Sequence, residues 1–337
     1  MPAPNPRVEA MVVVIGVKGG YKPLSSHIFN ILNITNPWKE QWYSSQSGVS
    51  VKWQRDELEE SGRRMLAPMT ESFPKKSSYE LAVTDFSDGL RVYPMWMFLA
   101  WQEIVARYRR SVLGPFWITL NMAIMIFTMG PIYSSLFGQD LKTYYVFLST
   151  SVVIWGLISA LVNESCAAFI GAEGFVKQMK LPFSLFIFKM VWKNIIIFFH
   201  NFLVVLIIFF FFPPDIGIHV LLVPFTLLLV CLNAIWFGTI LAVVSARFRD
   251  IPQIVNSFMG VAFFITPVMW QPSLLVGREW VMNANPLFHF MEIVRGPLIY
   301  NTMNYNSLQI VCISTLVGYA LMFYVFQRHR ARIAYWL

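Results

Sequence analysis

Amide, hydroxyl and aromatic side chains recur seven residues apart in two apolar stretches of the chain. Because seven residues make nearly two helical turns, positions seven apart share a helix face to within about 20°. The two rows are Asn121, Thr128 and Ser135 in the first stretch, flanked by Trp117 four residues earlier, and Asn256, Phe263 and Trp270 in the second. Aromatic rings stack on the C–H faces of sugars, and amides and hydroxyls exchange hydrogen bonds with sugar hydroxyls. Such a face could therefore bind a neutral, hydroxyl-rich molecule, although small polar residues are also common where helices pack together.

Patterns typical of catalysis are missing from the sequence. It has no HExxH, no GxSxG and no paired carboxylates, which disfavours intramembrane hydrolases and transferases. Cys166, Cys231 and Cys312 stand singly in apolar stretches without a His at ligand spacing, as small core residues do. His200 also lies alone in an apolar stretch, where a packing role is more common than a catalytic one. We therefore predict no catalytic residue, no metal site and no cofactor on this chain.

The composition is that of an integral membrane protein. Of the 337 residues, 56% are hydrophobic and 13% charged, whereas soluble domains carry about a quarter charged residues. An aromatic content of 16% also argues against a disordered or disulfide-rich secreted chain. Residues 1–90 hold ten Lys/Arg and ten Asp/Glu, while residues 91–337 hold sixteen and eight, so the net charge of +8 belongs to the apolar part.

The first 90 residues differ from the rest. Their charge is balanced, and their one apolar run, 11–17, is too short to span a bilayer. The glycine-rich segment 16–20 lacks the GxxxxGK[ST] spacing with which backbone amides wrap a phosphate. We predict a partly disordered cytoplasmic extension over 1–90, followed by a membrane domain over 91–337.

Six apolar windows are long enough to cross a membrane, which takes roughly 20 mostly apolar residues for about 30 Å of hydrocarbon. The windows are 115–137, 144–162, 194–212, 220–246, 252–276 and 307–326. None carries Asp, Glu, Lys or Arg at its middle, which disfavours an ion-coupled carrier. The predicted fold is an all-α integral membrane protein with six transmembrane helices per protomer.

Lys and Arg residues near the span ends give the orientation, because such residues are retained in the cytoplasm. Thirteen lie on the side of the two termini, and three, Lys142, Arg278 and Arg295, lie on the other. We expect a multi-pass protein of the cytoplasmic (inner) membrane with both termini in the cytoplasm.

Residues 95–110 have the pattern of a helix lying in the cytoplasmic membrane surface. Apolar and polar side chains separate at helical spacing, so aromatic rings can lie at headgroup depth while arginines face lipid phosphate. The residues assigned to this interfacial helix are Trp101, Arg107, Tyr108, Arg109 and Arg110. A positive-inside anchor without further role is the alternative.

Short motifs along the chain have the order and spacing of one transporter family. They are RYRRSVLGPFW at 107–117, LP at 181–182, RFRDI at 247–251, TPV at 266–268, NPL at 285–287 and RGP at 295–297. The chain thereby resembles the type-2 ABC exporter permeases that move O-antigen, capsular polysaccharide and teichoic acid. The resemblance covers about residues 91–337 and leaves the N-terminal extension out.

The resemblance implies a permease that exports a lipid-linked polysaccharide and performs no chemistry itself. It also implies a homodimer with two copies of a separate cytoplasmic ATPase subunit, which would bind ATP and Mg²⁺. The lack of a phosphate loop in the sequence agrees with a separate ATPase. The expected partners thus include the membrane and the lipid-linked polysaccharide, and no nucleic acid. The same resemblance assigns the first and fifth spans, and with them the two polar rows, to the conduit.

Two cytoplasmic loops could receive force from an ATPase. Residues 173–182 could form a short helix stopped by Pro182, with Phe175 and Met179 at i,i+4 as apolar contacts. The loop at 247–250 is the second candidate, although a charged turn that holds topology explains it equally well. The assigned coupling residues are Glu173, Phe175, Lys177, Met179, Arg247, Arg249 and Asp250.

The segment 271–306 is long yet apolar, which is unlike a solvated loop. Short re-entrant helices packed on the spans would satisfy its backbone before the last span begins. Glu292 and Arg295 at i,i+3 either form a simple ion pair or take part in an exit gate.

Two other functions stay open. A type-2 ABC exporter of drugs or lipids would share the fold, and less aromatic lining would favour it. A membrane-embedded glycan-processing enzyme would need an acidic or histidine side chain near the membrane face, for which the candidates are Glu164, Glu173, Glu279, Glu292 and His289.

Overall fold

The computed structural model describes residues 77–275, 277–278 and 280–337, and within these ranges every regular element is helical. The α-helices in chain order are α1 (Ser78–Arg91), α2 (Tyr93–Arg107), α3 (Phe116–Leu136), α4 (Leu141–Ala167), α5 (Glu173–Gln178), α6 (Ser184–Phe211), α7 (Val223–Arg247), α8 (Ile251–Ile265), α9 (Trp280–Asn283), α10 (Pro286–Ile299) and α11 (Tyr305–Trp336). The predicted all-α class is confirmed for this part of the chain.

Five segments of the described chain are long and apolar enough to cross a membrane. They are α3, α4, α6, α7 with the 3₁₀ turn that precedes it from Ile218, and α11. The predicted fifth span, 252–276, is wrong as one continuous helix, because α8 has 15 residues and ends at Ile265. The next residue, Thr266, is extended (φ −80°, ψ 137°), as expected for a residue that precedes a proline.

Two membrane-spanning helices extend beyond their predicted windows, because those windows excluded every charged residue. Helix α6 begins at Ser184 instead of residue 194, and therefore includes Lys189 and Lys193. Helix α11 continues to Trp336 instead of residue 326 and includes the basic residues near the end of the sequence. A helix can carry such charges where carboxylates neutralise them or where it leaves the hydrocarbon.

Helix α4 is the centre of the packing. Seventy-two per cent of its apolar window is buried, and α3, α6, α7, α8 and α10 all pack against it. Ser149 and Thr150 are among its buried residues, and both hydroxyls donate to the carbonyl of Val146 in the preceding turn. Small and internally satisfied side chains allow neighbouring backbones to approach closely, which is how helices associate in lipid.

A polar network joins α7 to α11. The Asn233 side chain donates to the Thr315 hydroxyl (2.7 Å) and accepts from the indole N–H of Trp236 (2.8 Å). Opposite this indole lies Gly318, where a Cβ would overlap the ring. The network and the close approach fix the register of these two helices.

Helix α1 lies at the end of the predicted N-terminal extension. Ser77 and Glu80 form a capping box at its start, with reciprocal bonds of 2.9 and 3.1 Å, and the helix packs on α6 and α11. Helix α2 follows and ends at Arg107, three residues before the end predicted for the helix over 95–110. Residues 1–76, including the segment 16–20, lie outside the described residues.

Candidate transport path and coupling surface

The predicted polar row of the first span lies on one exposed face of α3. All three of its side chains, Asn121, Thr128 and Ser135, are exposed in the chain, and so is the flanking Trp117. At about 100° per residue, the buried positions of α3 fall on the opposite face. Gly130 is among them, and the ring of Tyr145 from α4 occupies the space that a side chain there would need. The close contact with α4 therefore determines which face of α3 remains open.

The predicted row of the fifth span does not form one face. Asn256 is exposed, but the ring of Phe263 packs against Trp155 of α4, with centroids 5.7 Å apart. Trp270 lies beyond the end of α8, and its indole N–H donates to the carbonyl of Phe264 (3.0 Å). The seven-residue spacing failed because it was continued through Pro267, where the helix has already ended.

A different set of residues forms the open polar face of α8. Gln253, Asn256, Ser257, Gly260 and Phe264 are exposed at spacings of three and four, beside an exposed apolar set formed by Ile254, Phe258, Val261 and Ile265. These spacings bring residues to one helix face, so amides, a hydroxyl and an aromatic ring lie together there. Helical spacing of three and four in the sequence, stopped at the proline, would have identified this set.

The irregular segment after α8 is held by side chains from other helices. The hydroxyl of Tyr144 donates to the carbonyl of Met269 (2.7 Å), and the amide of Asn285 donates to the hydroxyl of Thr266 (2.8 Å). Backbone groups released by a broken helix must find partners where water is absent. These contacts make the break a defined structure.

Arg295 completes the support of this segment. Its side chain is 0% exposed, and its guanidinium donates to the carbonyl of Pro267 (2.7 Å) and to the hydroxyl of Ser151 (3.2 Å). Glu292 neutralises it at 2.6 Å, and the ring of Phe147 lies 5.1 Å from its guanidinium carbon. The predicted Glu292–Arg295 ion pair is thus present, and it braces the broken helix.

A charge cluster that the sequence did not reveal ties α2 to the spans. Lys193, 5% exposed, lies between Glu103 of α2 and Glu164 of α4, at 2.5 and 2.8 Å. Lys189 contacts the same Glu103 carboxylate at 2.8 Å, and Arg107 approaches Glu164 at 4.0 Å. Burial alone would raise the pKa of Glu103, but hydrogen bonds from the two lysines hold its pKa below the ordinary value. Only one of the predicted interfacial residues, Arg107, takes part in this cluster.

The other predicted interfacial residues lie away from the cluster. Trp101, Arg109 and Arg110 are exposed and Tyr108 is half-buried. Arg110 has a positive φ of 71° in the turn that follows α2, before α3 begins.

The predicted coupling segment contains a short helix, α5, at Glu173–Gln178. Phe175 and Met179 are 44% and 47% exposed, so both offer apolar surface. Lys177 pairs with Glu173 and also donates to the backbone carbonyl of Leu337 (3.2 Å). Hydrogen bonding to Lys177, with the charge of Arg249 nearby, lowers the pKa of Glu173. The segment is therefore close to both the 247–250 turn and the end of α11.

The second coupling candidate lies beside the same helix end. The guanidinium of Arg247 lies 5.5 Å from the ring of Trp336 and 5.1 Å from that of Phe248. Arg249 and Asp250 are exposed. The end of α11 thus joins the two predicted coupling segments.

Groups with catalytic or metal-binding chemistry are dispersed. The described residues contain no cluster of three or more His, Cys, Asp or Glu that could hold a metal. The three cysteines are free, and the imidazole of His200 is 2.9 Å from the carbonyl of Ile196 one turn before it.

Known proteins place this architecture in a family. Among similar proteins is the O-antigen export system permease protein RfbA of Myxococcus xanthus, 24% identical over 57% of this chain and 75% of that protein. Two proteins of the same name from Klebsiella pneumoniae are 19% and 20% identical, over 69% and 65% of this chain and 91% and 87% of their own lengths. Residues 95–299 match the family described as ABC-2 type transporter. Since that match spans more than half of the 337 residues, the chain belongs to the ABC-2 type transporter family.

Proposed function

We propose that the chain is the permease subunit of an exporter that moves a lipid-linked polysaccharide across the cytoplasmic membrane. The observation that carries this proposal is the similarity to three proteins named O-antigen export system permease, which extends over 75% to 91% of their lengths. Membership of the ABC-2 family supplies the class of transport subunit, and the relatives supply the cargo class.

The open polar faces of α3 and α8 support a sugar path. An amide such as Asn121 or Asn256 that faced hydrocarbon would lose hydrogen bonds, which is unfavourable. A second copy of the chain would cover these faces and enclose a conduit between them. We therefore propose a homodimer whose path is lined by the exposed faces of α3 and α8, with uncharged polar and aromatic side chains for the sugar units.

The proposed membrane topology has six crossings. Helix α8 with the braced segment that follows it makes the fifth crossing, between α7 and the helices α9 and α10. Both termini are then cytoplasmic, α2 lies in the inner membrane surface, and α9 and α10 re-enter from the outer side. The distribution of Lys and Arg supports this orientation.

Energy comes from a partner in this proposal. Two copies of a cytoplasmic ATPase, which bind ATP and Mg²⁺, dock against α5 and the 247–250 turn of each permease. Exposed Phe175 and Met179 provide the apolar contact, and Arg249 and Asp250 contribute at the edge.

A glycan-processing enzyme is disfavoured by the contacts of its candidate residues. Glu164 and Glu292 are bound in ion pairs with Lys193 and Arg295. The imidazole of His289 is buried between the hydroxyl of Ser307 and the carbonyl of Asn283, both at 2.9 Å. Glu173 pairs with Lys177, and Glu279 lies outside the described residues. Such contacts are typical of structural roles.

Deletion of the gene in its host, with complementation by the intact chain, tests the proposal. We expect the surface polysaccharide to disappear while its lipid-linked form accumulates inside the cell, and complementation to restore the surface polymer. Unchanged surface polysaccharide with increased sensitivity to lipophilic drugs would favour the drug exporter instead. A surface polymer of altered structure and normal amount would favour the enzyme.

A further inference from the structure

Asp85 of α1 is a buried carboxylate in contact with the start of the third span. It is 2% exposed, and its two oxygens accept hydrogen bonds from the backbone N–H groups of Phe183 (3.2 Å) and Ser184 (2.9 Å). The Ser184 hydroxyl donates in return to the Asp85 carbonyl (2.7 Å). The first N–H groups of a helix have no partner within it, so Asp85 caps α6 from a distant part of the chain.

The same carboxylate binds the cytoplasmic part of the last span. Arg330 of α11 contacts Asp85 Oδ2 at 2.8 Å through both Nε and a terminal guanidinium nitrogen. Its guanidinium carbon also lies 5.8 Å from the ring of Phe183. One carboxylate thus joins α1, the start of α6 and the end of α11, and charge-assisted bonds of this kind are strong and directional.

The joint lies where the coupling segment passes into a span. Helix α5 ends at Gln178, and Pro182 is followed immediately by Phe183 and Ser184, the two residues that Asp85 holds. At this same end of α5, Lys177 donates to the carbonyl of Leu337, the residue that follows α11. A displacement of α5 therefore reaches α6 and α11 through short, fixed contacts.

Helix α1 is packed closely enough to act as a rigid part of this joint. A Cβ at Gly89 would overlap the hydroxyl of Ser184. Phe86 packs against Phe188 of α6 and Phe326 of α11, with centroids 6.1 and 5.5 Å apart. Asp85 and Arg330 both lie outside the part matched by the family, 95–299, so the joint is a feature that the family match does not describe.

We propose that Asp85 is a positioning residue that makes α5, α6 and α11 move together, so that ATP hydrolysis by the partner drives export. This inference rests on the proposed function. Without the joint, α5 can follow the ATPase while the spans remain in place, and hydrolysis is uncoupled from export.

The test uses the full chain with its partner ATPase and measures two quantities. Surface polysaccharide is measured in cells that lack the native gene, and ATP hydrolysis is measured for the purified complex in lipid vesicles. The variants are Asp85→Asn, Arg330→Gln and Arg330→Lys, with Asp88→Asn as the matched control. Asp88 is on the same helix, is half exposed and pairs only loosely with Arg91 at 3.9 Å.

We expect Asp85→Asn and Arg330→Gln to lower export about tenfold at equal membrane levels, with ATP hydrolysis within about twofold of the parent. Arg330→Lys should restore much of the export, because its ammonium can still reach the carboxylate, and Asp88→Asn should behave as the parent. A merely structural role would instead lower membrane levels and both activities together.

Parent-like export in Asp85→Asn and Arg330→Gln would overturn the inference, and so would a parallel loss of export and hydrolysis. If Asp85→Asn does not accumulate in the membrane, the comparison of Arg330→Gln with Arg330→Lys decides, because Asp85 is intact in both of these variants and still caps α6. An intact complex that exports no polysaccharide would overturn the proposed function, and this inference with it. An active intact complex with parent-like variants would overturn this inference alone.

Discussion

Lys193 and Arg295 are buried cations that are neutralised in different ways. Lys193 lies between two carboxylates from different helices, whereas Arg295 has one carboxylate together with a carbonyl and a hydroxyl. A buried charge that loses its partner is strongly destabilising. The roles of these two residues therefore follow from their partners: Lys193 joins α2 to α4, and Arg295 braces the segment after α8.

We predict that Lys193→Met destabilises the protein more than Lys189→Met does. The first change leaves Glu103 and Glu164 close together without a shared cation. We expect it to lower the free energy of unfolding by about 2 kcal/mol, since the partial exposure of Glu103 reduces the cost. The second removes one of two cations from Glu103 alone. Thermal unfolding of the detergent-solubilised chain measures the difference, and equal midpoints for the two variants would contradict the prediction.

At the scale of elements, α8 shows what the sequence can and cannot predict. The exposed row of α3 follows from seven-residue spacing because that helix continues through Ser135 despite Pro131. In α8 the same spacing was carried past Pro267, and a face was assigned to residues that are not in one helix. The Thr-Pro pair was a readable signal for the end of the helix. The packing of Phe263 on Trp155 was not, because it depends on a distant helix.

We predict that Phe264→Leu reduces export more than Phe263→Leu does. Phe264 is 72% exposed on the polar face of α8, so its ring is free to stack on sugar, at about 1 kcal/mol per contact by analogy with aromatic pairs. The ring of Phe263 is occupied by Trp155 and should affect stability instead. Surface polysaccharide at equal membrane levels measures the effect. The reverse order of the two variants would place the path on the other side of α8.

The start of α6 illustrates a second limit of the sequence. A rule that searches for charge-free windows excludes Lys189 and Lys193, and so it begins the span at residue 194. The structure begins the helix at Ser184, and Glu103 and Glu164, from helices that are distant in the sequence, neutralise the two lysines that the helix includes. The existence of the span could be predicted from composition alone, but its true start could not.

At the scale of the whole molecule, the side that carries the predicted coupling segments is assembled from parts that are far apart in the sequence. Helix α5, the 247–250 turn and the end of α11 meet through Lys177 with Leu337 and through Arg247 with Trp336. The sequence predicted the first two segments as separate candidates: a short helix with two apolar contacts, and a charged turn that a role in topology explains equally well. Their junction at α11 depends on long-range packing, so no local pattern could reveal it. The two candidates are consequently parts of one surface.

The last prediction concerns this surface. Replacing Phe175 and Met179 together by Asp should abolish export, because two exposed apolar contacts become charges that an apolar socket on the ATPase would reject. Both side chains are partly exposed and lie on a short helix, so insertion should be retained, with some stability lost where the ring of Phe175 packs 6.3 Å from that of Phe186. Co-purification of the ATPase should fall with export. The matched control is the double variant Phe175→Leu and Met179→Leu, which keeps an apolar side chain at both positions and should export as the parent does. If the double variant retains export and ATPase binding, α5 is not the docking helix, and the 247–250 turn becomes the principal candidate for contact with the ATPase.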